Sequence, residues 1–222
     1  MLPRTQHLLK EMAIKLGITG GIGSGKSCVS NLLRVMGVPV YDCDKEASRL
    51  MNSSEKIRRE LIRLAGSDVY DEQEKLNRRL LAAYMFGHAD RVEKVNAIVH
   101  PSVREDFSRW AAEREGERVV ALESAILYEA GMSGDVDAVV LVYTPAEERL
   151  RRAMERDDAS AEQVRRRMES QTPDEEKMER ADFVIRNAED DAVTPQVVNL
   201  LRTLEKTSRK GEEPSCRIHA EK

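Results

Sequence analysis

Apolar and polar positions along the chain follow two alternating periods. Short, nearly continuous apolar runs recur at residues 13–19, Val38-Pro39-Val40-Tyr41, residues 118–123, residues 138–143 and Ala181-Asp182-Phe183-Val184-Ile185. Such runs predict strands, and the near absence of alternation is expected where helices cover both faces of a sheet. Between the first two runs, Val29, Leu32, Leu33 and Met36 form one stripe of a helix over 27–36, and Gly37 turns the chain into the second strand. After Asp44 the helical period persists for a long stretch, through Ile57, Leu61, Ile62 and Leu64, then Leu76, Leu80, Leu81, Tyr84 and Met85, then residues 92–99. Pro101 is placed to open a further helix carrying Val103, Phe107 and Trp110 on one side. Strands separated by helices imply right-handed crossovers and a parallel sheet, whose ligands gather at the carboxyl ends of the strands. The predicted fold is α/β: a five-stranded parallel sheet flanked by helices, with a helical substrate-binding insert at about 45–114. Two Arg-rich helical segments, 147–156 and 161–169, follow the fourth strand as a lid over about 147–171. The polar, patternless tail at 206–222 is read as disordered, leaving one domain over 1–205.

One motif changes this outline into a candidate site. Gly20-Gly21-Ile22-Gly23-Ser24-Gly25-Lys26-Ser27 spells G-x-x-x-x-G-K-S between a strand and a helix. Glycines let the backbone turn so that successive N–H groups of Gly21, Ile22, Gly23, Ser24, Gly25, Lys26 and Ser27 converge on phosphate oxygens. Lys26 reaches the β and γ phosphates, and the Ser27 hydroxyl can take Mg²⁺. A Gly-rich turn can match by chance, but the strand before and the helix after argue against that. The cofactors expected are ATP and Mg²⁺.

Composition narrows the class. The chain's 222 residues allow one sizeable α/β domain with an insert, and 34% charged with 4% aromatic residues suits a helix-rich enzyme rather than a disordered or fibrous chain. No apolar stretch reaches the roughly 20 residues of a membrane span, and residues 1–10 lack the apolar core of a secretion signal, so a cytoplasmic protein without membrane contacts is expected. Cys28, Cys43 and Cys216 are odd in number and lack C-x-x-C spacing, which points to reduced thiols and to neither a disulfide nor a metal site. A net charge of -4 argues against nucleic acid as a partner. The arginines at 149, 151, 152, 156, 165, 166 and 167 are balanced by nearby acids, a run that is ordinarily a solvated helix face.

A phosphate cradle does not distinguish a switch, a motor and a kinase. The N-K-x-D and D-x-x-G segments of a GTPase are absent from the sequence. The strand at 119–123 ends in the single acid Glu123, which can position Mg²⁺ through water or merely cap the strand. A kinase needs a carboxylate near the γ-phosphate to take the proton of the attacking hydroxyl. Asp44, just past the second strand, fits that role, and its alternative is an N-cap for the helix that follows. Asp42, two residues earlier, lies on the same side of an extended segment, so one of the two can cap while the other catalyses. Arg152 and Arg156, four apart on one helix face, supply cations for the migrating phosphoryl, unless they form surface pairs with Glu148 or Glu155. The oligomeric state expected is a monomer or small homo-oligomer.

The chain resembles the dephospho-CoA kinase family. The pieces that carry the likeness are Gly17-Ile18-Thr19 running into the cradle, Asp42-Cys43-Asp44, Leu76-Asn77-Arg78, His100-Pro101 and Glu123-Ser124-Ala125-Ile126-Leu127-Tyr128-Glu129, followed by Arg152-x-x-x-Arg156-Asp157, Gln171 and Ala181-Asp182-Phe183-Val184-Ile185-Arg186-Asn187. The resemblance implies a P-loop kinase core and transfer of the ATP γ-phosphate to the ribose 3′-hydroxyl of dephospho-CoA. It further implies Asp44 as base, Lys26 as phosphate lysine and Arg152 as lid arginine, with Asp42, Arg78 and His100 toward the acceptor. The chain departs from the family's usual residues at Cys28, Asn77, Ala125 and Arg186. Another nucleoside or nucleotide kinase, and a non-catalytic nucleotide-binding regulator, are the alternatives.

Overall fold

Apolar strands that need cover on both faces dictate the architecture. The computed structural model describes residues 13–210. Two compact units divide the chain, one comprising 13–40 with 110–210 and the other 41–109. The strands are β1 (Ile14–Thr19), β2 (Val40–Asp42), β3 (Val119–Glu123), β4 (Ala138–Tyr143) and β5 (Phe183–Arg186). They form the expected parallel sheet in the order β2-β3-β1-β4-β5. Central β1 is in register with both neighbours, Leu16 opposite Ala121 of β3 and Ala138 of β4. Helices α1 (Lys26–Val35) and α9 (Val193–Lys210) supply cover: Val29 and Leu33 from the first and Val197, Leu200 and Leu204 from the second join Leu16, Ile18, Val140 and Val142 in one core.

The lid segments form α6 (Ala146–Asp157) and α7 (Ala161–Glu169), followed by the short α8 (Asp174–Arg180) that the periodicity does not announce. Between α6 and α7, Asp158 adopts the left-handed conformation at φ 47° and Ser160 starts the next helix through a reciprocal cap with Gln163. Leu150 and Ala153 of α6 pack on Val164 of α7, with Ile22 of the cradle against the same cluster.

The unit at 41–109 is helical. It contains α2 (Cys43–Ser53), α3 (Glu55–Ala65), α4 (Arg78–Met85) and most of α5 (Ala89–Ala112). Ser54 and Asn77 cap α3 and α4 by accepting the N–H groups of Ile57 and Leu80. Tyr41 donates its hydroxyl proton to Asp106 at 2.8 Å and packs edge-on against Phe107.

Three expectations are corrected. Pro101 does not open a helix; it lies inside α5. An interior proline costs about 3 kcal/mol, but Val95, Val99, Val103 and Phe107 recur every fourth residue and are all buried, so burial of one unbroken stripe outweighs the lost hydrogen bond. The second strand begins at Val40 rather than Val38, because Val38 N–H is taken by Leu33 O in the turn after α1 and Pro39 has no N–H for a ladder. The expected disorder from 206 gives way to helix through Lys210, while 211–222 lie outside the described residues. Leu204, ahead of that stretch in the same helix, is buried in the core cluster.

Leu16 is fully buried in the central strand. Leu16→Ala is therefore expected to lower unfolding free energy by about 2–5 kcal/mol, measured by urea denaturation with an unchanged m-value.

Candidate active site

The cradle joins β1 to α1 and consists mostly of backbone. Gly25 caps α1 at φ 85° and supplies no side chain to the helix N-terminus. The positive end of the helix dipole is thereby left for an anion. Gly25 is required twice over: its φ is left-handed, and a β carbon there would stand 2.0 Å from Asn187 Nδ2. Lys26 donates its ammonium protons to Gly20 O at 2.8 Å and Gly21 O at 3.1 Å, which folds it over the loop.

The cradle is gripped from several sides. Asn187, just past β5, donates to Ser24 O at 2.8 Å. Thr144, just past β4, lies 3.0 Å from the same carbonyl and 2.9 Å from Asn187 O, with one hydroxyl proton for both acceptors. Gln171 bridges two segments, accepting Ile22 N–H at 2.9 Å and donating to Ala125 O at 3.0 Å. Ile22, expected among the phosphate-binding amides, thus directs its N–H to a side chain.

Ser27 donates its hydroxyl proton to Glu123 Oε1 at 3.2 Å. Of the two readings left open for Glu123, this contact favours the one beside the cation. The donor set fits Mg²⁺: a hydroxyl and a carboxylate are hard oxygen ligands, and Mg²⁺ bound with a nucleotide keeps waters and phosphate oxygens as its remaining ligands. Among the described residues no group of three or more His, Cys, Asp or Glu could hold a metal by itself.

The lid places its cations unequally. Arg152 pairs with Glu148 at 2.5 Å, and its Nη1 would lie 3.8 Å from a β carbon at Gly25, so this guanidinium borders the cradle. Arg156 instead makes two hydrogen bonds to Asp157, at 2.7 and 3.1 Å, and Arg167 of α7 meets the same carboxylate at 2.9 Å. The Arg156 hydrogen bonds, with help from Arg167, hold the Asp157 carboxyl down at about 2.

The remaining candidates lie in the 41–109 unit. Asp42 is the N-cap of α2, accepting Lys45 N–H at 3.0 Å, so the capping role falls to it and not to Asp44. Asp44 is exposed in the first turn of the same helix. Arg78, first residue of α4, hydrogen-bonds Ser48 Oγ, and Ser48 is one turn along α2 from Asp44 on the same face. His100 lies within α5; burial, reinforced by the positive charge of Arg104, pushes its imidazole below its ordinary 6.5. Sequence reasoning missed the roles of Thr144 and Arg149 and gave none to Gln171. Arg149 alone left a trace in the pattern, at i and i+4 with buried Ala153.

A glycine cradle at the carboxyl edge of a parallel sheet, with its lysine, its hydroxyl–carboxylate pair and a two-helix lid, defines a P-loop phosphotransferase. The family model for dephospho-CoA kinase matches residues 14–192, and the chain belongs to that family. A dephospho-CoA kinase from Bacteroides fragilis is 49% identical over 193 residues, spanning 87% of this chain and 94% of its own length. One from Porphyromonas gingivalis is 44% identical over 86% of this chain and 94% of its own. A Thermus thermophilus crystal structure is similar at TM-score 0.72 and 37% identity, covering 87% of this chain and 97% of that one. A shikimate kinase from Acinetobacter baumannii, at TM-score 0.51 and 15% identity over 89% and 96% of the two chains, shares the fold alone.

Gly25 and His100 each offer a test. Gly25→Ala combines a left-handed φ with a 2.0 Å approach to Asn187, and is expected to weaken ATP binding more than about tenfold, the equivalent of about 1.4 kcal/mol, with an unchanged far-UV spectrum. His100 has a depressed folded pKa, so the unfolded chain protonates first; its contribution to stability is complete above pH 6.5 and is lost as pH falls below that value. An imidazole titration by NMR is expected to show a midpoint below 6.5, and His100→Gln to flatten the stability profile in that window.

Proposed function

We propose that this chain transfers the γ-phosphoryl group of ATP to the ribose 3′-hydroxyl of dephospho-CoA, with Asp44 as the general base. The acceptor follows from membership of the family. Geometry contributes one observation above the others: Asp42 takes the helix cap, so Asp44 stands in the first turn without that duty, on the face of α2 that Arg78 reaches through Ser48. A carboxylate on the helix face that a guanidinium reaches suits an acceptor that brings both a hydroxyl and phosphate groups.

In this reading the α1 amides and Lys26 bind the β and γ phosphates, which fixes the phosphorus for in-line attack. Ser27, with Glu123, holds Mg²⁺, which when bound neutralises charge on the same oxygens. Arg152 offers its guanidinium to the equatorial oxygens as charge spreads over them, and Glu148 orients it. Asp44 accepts the proton of the 3′-hydroxyl as the new P–O bond forms and the bond to the ADP oxygen breaks. A well-placed arginine is worth about 10³–10⁵ in rate and a positioned base about 10²–10⁴, so charge neutralisation is the larger effect. Arg156, committed to Asp157, is assigned to lid cohesion around α6 and α7, with any phosphate contact secondary.

Asp42, Arg78 and His100 remain assigned to the acceptor side. A half-buried imidazole held below its ordinary pKa is neutral at pH 7 and suits hydrogen bonding to a polar acceptor group better than charge pairing. The net charge of -4 and the absence, among the described residues, of any helix long and apolar enough to cross a membrane support a cytoplasmic enzyme acting on a small molecule.

ADP release measured with a panel of alcohol acceptors tests the assignment. Turnover is expected with dephospho-CoA and not with nucleosides or nucleoside monophosphates; the reverse pattern would make the chain a nucleotide kinase. Asp44→Asn is expected to lower kcat about 10²–10⁴-fold with ATP affinity nearly unchanged. Arg152→Ala should depress kcat about 10³-fold or more, and far more than it weakens ATP binding.

A further inference from the structure

The arginines at 149–167 behave for the most part as a solvated face: Arg166 pairs with Glu162 and Arg151 with Glu155, all of them exposed. Arg149 does not. It is 7% exposed, and its guanidinium has partners along two edges while the third faces the cradle. Nε donates to Thr144 O at 3.1 Å, and Nη2 meets Asp174 Oδ2 at 2.5 Å. Nη1 presses on the cradle so closely that a β carbon on Gly21 would lie 1.8 Å from it. The Arg149 carbonyl approaches the next cradle glycine in the same way, 2.3 Å from where a β carbon of Gly23 would be.

Asp174, in the first turn of α8, is shielded as well, with its side chain 13% exposed. Nearby, Lys177 of the same helix is 0% exposed and lies 3.6 Å from Glu129 Oε1, while that carboxylate also accepts Thr172 N–H at 2.7 Å. A buried ion pair is weak evidence for stability, because desolvation offsets its attraction. What distinguishes the Arg149–Asp174 pair is its position: Asp174 is carried by α8, and the Arg149 guanidinium turns one end toward glycine backbone that has no side chains with which to hold itself. A planar guanidinium fork suits that task, being fixed along several edges at once as a lysine ammonium cannot be.

We propose that Arg149 is a positioning residue of the phosphate cradle: anchored by Asp174, it sets the backbone path through Gly21 and Gly23 and so aims the amides that follow at the triphosphate. Its assigned role is positional and calls for no contact with the transferring atoms or the acceptor. The inference rests on the reading that the cradle binds ATP, and not on the identity of the acceptor.

The test is calorimetric titration of the full chain with Mg-ATP in the absence of any acceptor, with folding followed by thermal melting. Arg149→Lys and Asp174→Asn preserve size, and each is expected to raise the Kd for ATP about tenfold or more, with the KM for the acceptor alcohol within about twofold of the unsubstituted chain. The exchanged pair, Arg149→Asp with Asp174→Arg, restores opposite charges. It is expected to regain melting temperature relative to Arg149→Asp alone while ATP affinity stays low, because the guanidinium then starts from α8. Recovery of ATP affinity along with melting temperature would make Arg149 a stabilising partner only and overturn the proposal. Binding of ATP within about twofold of the unsubstituted chain by folded Arg149→Lys and Asp174→Asn would do the same, and these two variants decide the matter if the exchanged pair does not fold. An unsubstituted chain that binds ATP but does not phosphorylate dephospho-CoA would refute the acceptor assignment and leave this test intact.

Discussion

A phosphate cradle must combine two properties that oppose each other. Its amides have to point inward, which calls for glycines and left-handed turns, and it has to stay still, which a stretch poor in side chains cannot ensure by its own packing. Here rigidity comes from outside the loop. Asn187 and Thr144 hold Ser24 O, Gln171 holds Ile22 N–H, and Arg149 lies against Gly21 and Gly23. These four residues come from the ends of β5 and β4, from the segment after α7 and from α6. The parallel sheet and the lid are therefore the frame on which a preorganised anion site is built.

The distribution of charge follows from the same need. Exposed pairs such as Arg166 with Glu162 contribute at most about 1 kcal/mol each and keep the lid soluble. Arg149 and Asp174 are shielded, where desolvation offsets the attraction between them. Arg152 occupies a middle position, half-shielded and balanced by Glu148 at the cradle's edge. Such a cation is oriented in advance and has little reorganisation left when phosphoryl charge develops.

Five strands, their parallel arrangement, the cradle and the two lid helices were all legible, because each is written in local periodicity or in a contiguous motif. Misreadings arose where local rules met long-range burial. Pro101 signals a helix start locally, yet Val95, Val99, Val103 and Phe107 keep one stripe in phase through it. Residues from Lys206 look polar and patternless, yet α9, whose Leu204 is buried, continues through Lys210. Between Asp42 and Asp44 the sequence offered a cap and a base without saying which was which. The structure gives the cap to Asp42, since its carboxylate accepts the N–H of Lys45.

By itself the sequence determined the class of chemistry, since G-x-x-x-x-G-K-S between strand and helix is a local device whose parts are adjacent in the chain, and the ordered motifs around it specified the family. Tertiary structure alone decided which distant side chains hold that device: the partner of Ser27 is Glu123, the support of Ile22 is Gln171, and one arginine of a charged run lies inside while its neighbours face water. The physical reason is that a hydrogen bond or ion pair between residues far apart in sequence leaves no periodic trace. Its strength depends on burial and on a few tenths of an ångström, which only the packed chain sets.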